Sequence, residues 1–207
     1  MKRILNNSIL FVAIISLIVS CKDNYENTIA NLKVAITNEA NSKEKYLAFA
    51  EKASNEGYKN IANMFKAAAA AENVHLNSFN EVLKKLGEPE FTPTPEAPTV
   101  NSTADNIQNS TDSETKEYTE TYPNFIATAK KENSNDAVEV FKLASLAEEN
   151  HSVHFSAALT MNDNAVPQVF FVCTRCGGLF LKNFTKCGLC QADTERQYYI
   201  PLVFDAR

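Results

Sequence analysis

The chain has 207 residues, of which 44% are hydrophobic, and its formal net charge is −5. This length and composition suit one medium-sized domain with enough apolar side chains for a core, plus a smaller unit. The acidic balance, without any cluster of Lys and Arg, excludes a general nucleic-acid-binding surface.

Residues 1–20 have the order of an export signal. Lys2 and Arg3 give a basic start, an interrupted apolar stretch follows, and the small Ser20 precedes Cys21. The apolar stretch is shorter than a comfortable membrane span. This arrangement resembles the lipobox of bacterial lipoproteins. It predicts cleavage after residue 20, lipid attachment at Cys21, and anchoring to a bacterial membrane on the periplasmic side or at the cell surface. An ordinary signal peptide or a retained anchor is the alternative.

Two apolar seams with helical spacing come next. The first, over 25–53, includes Glu39, and the second, over 61–86, includes Glu72 and His75. Gly57 permits a turn between the two helices, and the second helix is expected to stop at Gly87.

Residues 88–113 hold four of the seven prolines and are otherwise mostly small and polar, which predicts a flexible crossover linker. A third helix is predicted over YPNFIATAKKEN, with Thr111 and Glu114 forming a capping box at its start. A fourth helix, from about Asn135, carries Glu148 and His151 on its seam.

The two helical pairs repeat one another. At a constant offset, residues of the first pair recur as identical residues of the second: Glu44, Tyr46, Phe49, Ala53, Glu56, Phe65, Lys66, Ala68, Ala71, Glu72 and His75 correspond to Glu120, Tyr122, Phe125, Ala129, Glu132, Phe141, Lys142, Ala144, Ala147, Glu148 and His151. The polar seam residues are therefore duplicated together with the core.

The duplicated Glu-x-x-His pairs point to a metal centre. A Glu and a His three residues apart share one face of a helix, and a carboxylate inside an apolar bundle costs several kcal/mol unless it is compensated. One Glu from each of two helices, with Glu-x-x-His from the other two, is the ligand set of di-iron and di-manganese bundles. Glu39 and either Glu114 or Glu117 complete this set.

Several of these residues have other interpretations. Glu114 could serve only as a helix cap, and Glu117 only as a solvated acid in a first helical turn. His154 is expected beside the site or at the surface rather than as a ligand. Tyr46 and Tyr122 are expected to be core aromatics whose hydroxyls point toward the site.

The C-terminal segment contains Cys173, Cys176, Cys187 and Cys190 in two C-x-x-C knuckles. This spacing is typical of one tetrahedral four-sulfur metal site. Iron and zinc both suit it, and the predicted export leaves disulfides as an alternative.

Over most of its length the chain resembles the rubrerythrin family. NLKVAITNEANSKEKYLAFAEKA resembles the first helix of the family, AAENVH and LAEENH match its two Glu-x-x-His helices, and ETKEYTETYPNF resembles the stretch with two glutamates before Tyr-Pro. The resemblance implies a mainly α fold: a ferritin-like four-helix bundle over 21–162 and a rubredoxin-like four-cysteine domain with short β-strands over 167–207. It places seven residues as ligands of two iron ions, namely Glu39, Glu72, His75, Glu114, Glu117, Glu148 and His151. It also implies that one iron moves between His75 and Glu117 as its oxidation state changes.

The activity expected from the resemblance is reduction of hydrogen peroxide to water, with electrons supplied through one iron at the four cysteines. The electron donor is unknown. The resemblance also implies head-to-tail pairing of two subunits, which would bring the four-cysteine site of one subunit to the bundle of the other, so a homodimer is expected. Two alternatives stay open: a ferritin-like ferroxidase or iron-binding lipoprotein, and a non-catalytic lipoprotein with structural zinc at the cysteines.

Overall fold

A computed structural model describes residues 24–160, 168–193 and 197–200. The predicted signal, Cys21 and the last residues of the chain lie outside these ranges. Helices α1 (Glu26–Asn55) and α2 (Lys59–Lys85) form the first hairpin. The second hairpin joins α3 (Thr103–Lys116), a π-helical turn (Glu117–Thr121) and α4 (Tyr122–Lys131), which follow one another without a break, to α5 (Asn135–Ala158). The fold is mainly α, as predicted.

Short turns make each hairpin antiparallel. Gly57, between α1 and α2, has φ +91°, and Asn133, between α4 and α5, has φ 59°. Both positions therefore adopt the left-handed conformation that glycine and asparagine tolerate best. Within the described ranges, none of the helices is long and apolar enough to cross a membrane.

The crossover between the hairpins is shorter than predicted. The expected linker over 88–113 and the capping box at Thr111 and Glu114 are both corrected, because α3 already begins at Thr103. Its cap is Ser102, whose side chain accepts a hydrogen bond from the Asp105 backbone N–H (3.2 Å). The buried seam of α3 is largely polar, which is why it reads as linker: Thr103, Asn106, Ile107, Ser110 and Glu114.

Side chains of the first hairpin fix the extended part of the crossover to the bundle. The Asn80 side chain accepts from the backbone N–H of Phe91 (2.8 Å) and donates to the backbone C=O of the same residue (3.1 Å). The Asn41 side chain accepts from the Glu96 backbone N–H (2.9 Å). The crossover therefore follows a defined course despite its prolines and small polar residues.

Two aromatic clusters form the core of the bundle. One includes Tyr46, Phe65 and Phe155, and the other includes Phe79, Tyr122 and Phe141. In α2, Glu72 and His75 lie between Phe65 and Phe79. The polar residues of the seams are thus flanked by aromatic packing in both directions along the bundle.

The C-terminal unit is a small antiparallel sheet with two cysteine knuckles. Its strands β1 (Phe170–Cys173), β2 (Leu179–Phe180) and β3 (Gln197–Ile200) have the order β2-β1-β3. The buried side chains of Phe170, Val172 and Leu179 belong to the same cluster as Phe65 and Phe155. The unit therefore packs directly on the bundle of its own chain.

Candidate metal centres

The helices bring six of the seven predicted bundle ligands together. Glu39 comes from α1, Glu72 and His75 from α2, Glu114 from α3, and Glu148 and His151 from α5; all six side chains are buried. Glu117, the first residue of the π-helical turn, is only half-buried.

The six residues form two overlapping groups of potential metal ligands. The first group is Glu39, Glu72, His75 and Glu148, and the second is Glu72, Glu114, Glu148 and His151. In each group, one ligand atom per residue lies within 4.8 Å of the others. Glu72 and Glu148 belong to both groups and could bridge two ions. The chain thus presents two adjacent positions, each with one imidazole and three carboxylates.

The imidazoles direct their Nδ1 atoms at the carboxylates. His75 Nδ1 lies 3.0 Å from Glu148 Oε1, 3.1 Å from Glu72 Oε2 and 3.8 Å from Glu39 Oε2. His151 Nδ1 lies 2.8 Å from Glu148 Oε2, yet this approach lacks hydrogen-bond geometry. Both atoms of this last pair are therefore without a hydrogen-bond partner.

Unpaired polar atoms concentrate at this centre. Among the described residues, nine buried side-chain N or O atoms lack a hydrogen-bond partner, and six of them belong to Glu39, Glu72, Glu114, Glu148 and His151. Such atoms normally find partners because an unsatisfied buried group costs about 1–3 kcal/mol. Two bound cations would satisfy all six atoms, so the residues fit an iron pair.

The electrostatics lead to the same conclusion. Burial raises the pKa of Glu72, and the carboxylates of Glu148 and Glu39 raise it further. Burial alone would raise the pKa of Glu148, but the imidazoles of His75 and His151 outweigh it and lower that pKa. Without a cation, these carboxylates depend on protons and on imidazolium charge for compensation. Bound metal ions would take the place of both the protons and the imidazolium charge.

Two tyrosines hold the carboxylates that belong to only one ligand group each. The Tyr46 hydroxyl donates to Glu114 Oε1, and the Tyr122 hydroxyl donates to Glu39 Oε1. Burial and the neighbouring carboxylates raise the pKa of both phenols, which keeps their protons in place as donors. The structure therefore places both hydroxyls toward the site.

Glu117 and His154 lie outside the two ligand groups. Burial raises the pKa of Glu117, and the carboxylates of Glu39 and Glu148 raise it further. It is His75, not Glu117, that completes the first group in this structure. His154 Nε2 contacts the backbone oxygen of Leu179 (3.0 Å) instead of the site.

The four cysteines are free thiols gathered at one point. Sγ of Cys173 lies 3.6 Å from Sγ of Cys190, and Sγ of Cys176 lies 3.7 Å from Sγ of Cys187. Sulfurs about 2.3 Å from one tetrahedral ion are about 3.8 Å apart, whereas a disulfide requires about 2.05 Å. The arrangement fits one metal ion, and the disulfide alternative does not describe it.

The thiols also need a cation if all four are to ionise. Hydrogen bonds from the Cys176 side chain and from the knuckle backbone lower the pKa of Cys173 to about 5. Burial and neighbouring sulfurs raise the pKa of Cys190 to about 11. The Cys173 thiolate thus forms readily, whereas the Cys190 thiol requires a metal ion to lose its proton near neutral pH.

The two centres meet through histidines and backbone carbonyls. His75 Nε2 lies 2.9 Å from the Cys176 oxygen, and His151 Nε2 lies 3.1 Å from the Gly177 oxygen. A carbonyl only accepts hydrogen bonds, so Nε2 must carry the proton, which leaves Nδ1 free to bind metal in the neutral ring. In this structure the contact forms within one chain.

Gly177 makes this contact possible. Its φ is +80°, and a Cβ atom at this position would lie 2.3 Å from His75 Nε2. The sequence places Gly177 in a knuckle but gives no sign that an imidazole lies against it, because that contact joins residues about a hundred positions apart. Sequence reasoning missed it for this reason.

The comparisons with known proteins agree with the geometry. The sequence model of the rubrerythrin family matches residues 30–159. Nigerythrin from Nitratidesulfovibrio vulgaris (strain Hildenborough) is 34% identical over 176 residues, which cover 84% of this chain and 87% of that protein. Rubrerythrin from Porphyromonas gingivalis is 30% identical over 152 residues, or 71% of this chain and 76% of that protein.

Solved structures share the fold of this chain. Fully reduced, all-ferrous nigerythrin superposes with a TM-score of 0.78 at 34% identity, over 83% of this chain and 86% of that one. A bacterioferritin from Desulfovibrio desulfuricans superposes with a TM-score of 0.63 at 19% identity, over 67% of this chain and 81% of that one, which shows the ferritin-like fold alone. The metal centres of this chain are thus an iron pair in the bundle and a rubredoxin-like iron site in the C-terminal unit.

Proposed function

Because the chain belongs to the rubrerythrin family of di-iron oxidoreductases, we propose that it is a peroxidase that reduces hydrogen peroxide to water in oxidative-stress defence. One observation carries the proposal: His75 and His151 each contact both centres. Their Nδ1 atoms face the carboxylates, and their Nε2 atoms contact the Cys176 and Gly177 carbonyls. A one-electron site directly attached to a two-metal site suits a reaction that must be resupplied with electrons.

Hydrogen peroxide takes up two electrons and two protons to form two water molecules. A bound ferrous pair would supply the two electrons, one from each ion, and stabilise the oxygens as negative charge develops. The residues that would hold the pair are Glu39, Glu72, His75, Glu114, Glu148 and His151, with Glu117 as the proposed alternative to His75.

The chain's own residues orient the centre. The Nε2–H groups of the two histidines bond to backbone carbonyls, which fixes both rings and their tautomers. The Tyr46 and Tyr122 hydroxyls fix the carboxylates of Glu114 and Glu39. The aromatic clusters that flank these groups in both directions along the bundle limit the water around them, which strengthens the electrostatic interactions within the site.

The path we propose for internal electron supply runs from the Cys176 sulfur through its own backbone carbonyl to the His75 ring. It comprises one residue, one hydrogen bond of 2.9 Å and one imidazole. A ferroxidase that only handles iron has no use for such a path, which is why we favour the peroxidase over that alternative.

The test compares two oxidants. Soluble protein beginning at Lys22 is loaded with iron, analysed for about three iron ions per chain and a rubredoxin-like spectrum, reduced without oxygen, and mixed with peroxide or oxygen. We expect peroxide to reoxidise it at least tenfold faster. Faster reaction with oxygen would instead identify a ferroxidase, and zinc at the cysteines would remove the internal electron supply.

Two neighbouring glutamates of α5 provide a matched pair of variants. Glu148→Gln changes a buried residue shared by both ligand groups and should lose bundle iron and peroxide reactivity. Glu149→Gln removes the same charge from the exposed adjacent position and should retain both. Equal iron content in the two variants would contradict the assignment of Glu148.

We also propose that the protein is lipid-anchored through Cys21 and forms a homodimer. The anchor rests on the sequence around Ser20 and Cys21, and the dimer on the family resemblance. Cys21→Ser should move the protein out of the membrane fraction, and sedimentation of the soluble form should give twice the mass of the chain. Unchanged fractionation would refute the anchor, and a monomeric mass would refute the dimer.

A further inference from the structure

Leu179, the first residue of β2, is held at both of its backbone groups by side chains of α5. Its N–H donates to Asn150 Oδ1 (2.7 Å), and its C=O lies 3.0 Å from His154 Nε2. Asn150 and His154 are four residues apart and therefore share one face of the helix. His151, whose Nε2 contacts Gly177, lies between them in the sequence.

The surroundings of His154 define both its protonation and its position. Because Nε2 faces a carbonyl oxygen, it carries a proton and donates it. Burial lowers the pKa of the ring, so its neutral form is favoured. The ring also packs edge-on against Phe170 of β1, with centroids 6.0 Å apart. The side chain is thus fixed both by its hydrogen bond and by packing.

Three histidines contact three carbonyls within four residues of the C-terminal unit. His75 meets Cys176, His151 meets Gly177, and His154 meets Leu179. The first two contacts join the metal centres. The third is the one that neither metal centre explains, and of these three residues it is Leu179 whose N–H and C=O both contact α5 side chains.

We propose that Asn150 and His154 are positioning residues, which hold Leu179 so that the carbonyls of Cys176 and Gly177 stay in contact with His75 and His151. This inference rests on the proposed function, because it concerns electron supply between the two centres. Neither residue belongs to a metal-ligand group. Their loss should therefore weaken the coupling between the centres without removing metal from either.

Other contacts keep the C-terminal unit on the bundle when these two are lost. Phe170, Val172 and Leu179 are buried against the aromatic cluster, and the Asn60 side chain accepts from the Gln168 N–H (2.7 Å). Packing of this kind holds two surfaces together but tolerates small shifts, whereas two hydrogen bonds to one residue fix its position along the helix. The proposal concerns the position of Leu179 along α5.

The test uses four iron-loaded variants. Asn150→Leu removes the acceptor, and His154→Leu removes the donor. His154→Gln keeps an N–H near the position of Nε2 and should preserve the contact. Val153→Ala changes a side chain that is 63% exposed on the same helix and serves as the control.

Two readouts separate positioning from general damage. Iron content and visible absorption should match the unchanged protein in all four variants. Hydrogen exchange of the Leu179 amide should be about tenfold faster in Asn150→Leu, as expected when one hydrogen bond is lost. After reduced protein is mixed with peroxide, oxidation of the four-cysteine iron should be about tenfold slower in both leucine variants, and unchanged in His154→Gln and Val153→Ala.

Either of two results would overturn the proposal: leucine variants that oxidise the four-cysteine iron at the normal rate, or a His154→Gln variant as slow as His154→Leu. If the unchanged protein does not react with peroxide, the proposed function fails separately. The exchange measurement then decides, since an unaffected Leu179 amide in Asn150→Leu would refute the role assigned to Asn150.

Discussion

The imidazole of His75 shows how much one side chain does in this fold. Its Nδ1 lies about 3 Å from two carboxylates, and its Nε2 touches the backbone of a cysteine knuckle. Burial lowers the pKa of the ring, but Glu148, Glu39 and Glu72 outweigh it and raise that pKa. In the metal-free chain the ring thus compensates buried negative charge, a task that bound metal ions would take over.

Gly177→Ala should separate the two centres. The new Cβ would lie 2.3 Å from His75 Nε2, at a φ of +80° that is itself strained. Gly57→Ala is the matched control, because its φ is +91° and nothing lies within 4 Å of the added Cβ. Both should lose about 1–2 kcal/mol of unfolding free energy to backbone strain, measured by urea denaturation. Only Gly177→Ala should also slow oxidation of the four-cysteine iron by peroxide, and equal rates in the two variants would contradict the contact.

Metal binding at the cysteines should strengthen as the pH rises. The pKa of Cys190 is raised to about 11, so this thiol carries a proton at neutral pH and must release it to bind metal. Affinity should therefore increase about tenfold per pH unit for each proton released. Competition titrations with zinc at pH 6 and pH 8 measure this dependence. An affinity that does not change with pH would show that the thiols are already ionised.

At the scale of elements, the second hairpin repeats the first but contains one additional residue. The spacing from Glu39 to Glu114 is one residue shorter than the spacing from Tyr46 to Tyr122. The extra residue of the second copy lies in the π-helical turn, where the Tyr122 N–H bonds to the Glu117 oxygen. Pro123 follows immediately, and its missing N–H favours such an irregularity. One-residue insertions of this kind are frequent at functional sites.

This insertion explains what could and could not be predicted from the sequence. The constant repeat offset identified Glu72 and Glu148, His75 and His151, and Tyr46 and Tyr122, because no insertion separates them. The same offset does not apply upstream of Glu117, so the repeat did not reveal that α3 begins at Thr103. With a one-residue slip, Thr28 pairs with Thr103, Asn31 with Asn106 and Glu39 with Glu114, which would have revealed the helix.

Deleting Thr119 should convert the π-helical turn to ordinary α-helix. Each residue of an α-helix turns by about 100°, so α3 would rotate by that amount relative to α4 and carry Glu114 away from the centre. We expect iron in the bundle to fall from two ions to about one per chain, measured by metal analysis. Thr119→Ala, which keeps the chain length, should retain both ions. Full iron content after the deletion would mean that the turn does not set the position of Glu114.

Each hairpin also supplies one glutamate that caps a helix of the other hairpin. Glu56 accepts hydrogen bonds from the Thr103 N–H (3.0 Å) and hydroxyl (2.6 Å), and Glu132 accepts from the Thr28 N–H (2.8 Å). Each glutamate ends one helix of its hairpin and caps the start of a helix in the other hairpin. These caps hold the two hairpins in register at their ends.

The cap at Glu56 should give the fold a defined acid sensitivity. Hydrogen bonds with Lys52 and Thr103 lower the pKa of Glu56 to about 2. Its ionised form therefore stabilises the fold fully above the ordinary carboxyl pKa of about 4.3, and this contribution is lost as the pH falls toward 2. Urea denaturation of metal-free protein should show Glu56→Gln less stable at pH 6, with the difference shrinking by pH 3. Glu51→Gln, at an exposed position of the same helix, should differ little at either pH. A pH-independent effect of Glu56→Gln would contradict the cap.

At the scale of the whole molecule, the bundle and the C-terminal unit pack together so that the two candidate metal centres adjoin. The ligand spacings in the sequence predicted each metal centre separately, because every ligand set is defined by local periodicity. They could not predict that the cysteine knuckle of the same chain would lie against His75 and His151. That docking depends on the shape and packing of surfaces such as the one around Phe170 and Leu179, which no local pattern encodes.

The most direct test of this assembly is a single-turnover experiment on fully reduced, iron-loaded protein. Peroxide is added at one and a half equivalents, which take up the three electrons held by the three iron ions, and absorption is followed at wavelengths for the four-cysteine iron and for the bundle iron. The proposed peroxidase predicts that the four-cysteine iron is oxidised in the same turnover, just after the bundle and at a rate independent of protein concentration. Oxidation of the bundle while the four-cysteine iron stays reduced would contradict internal electron supply.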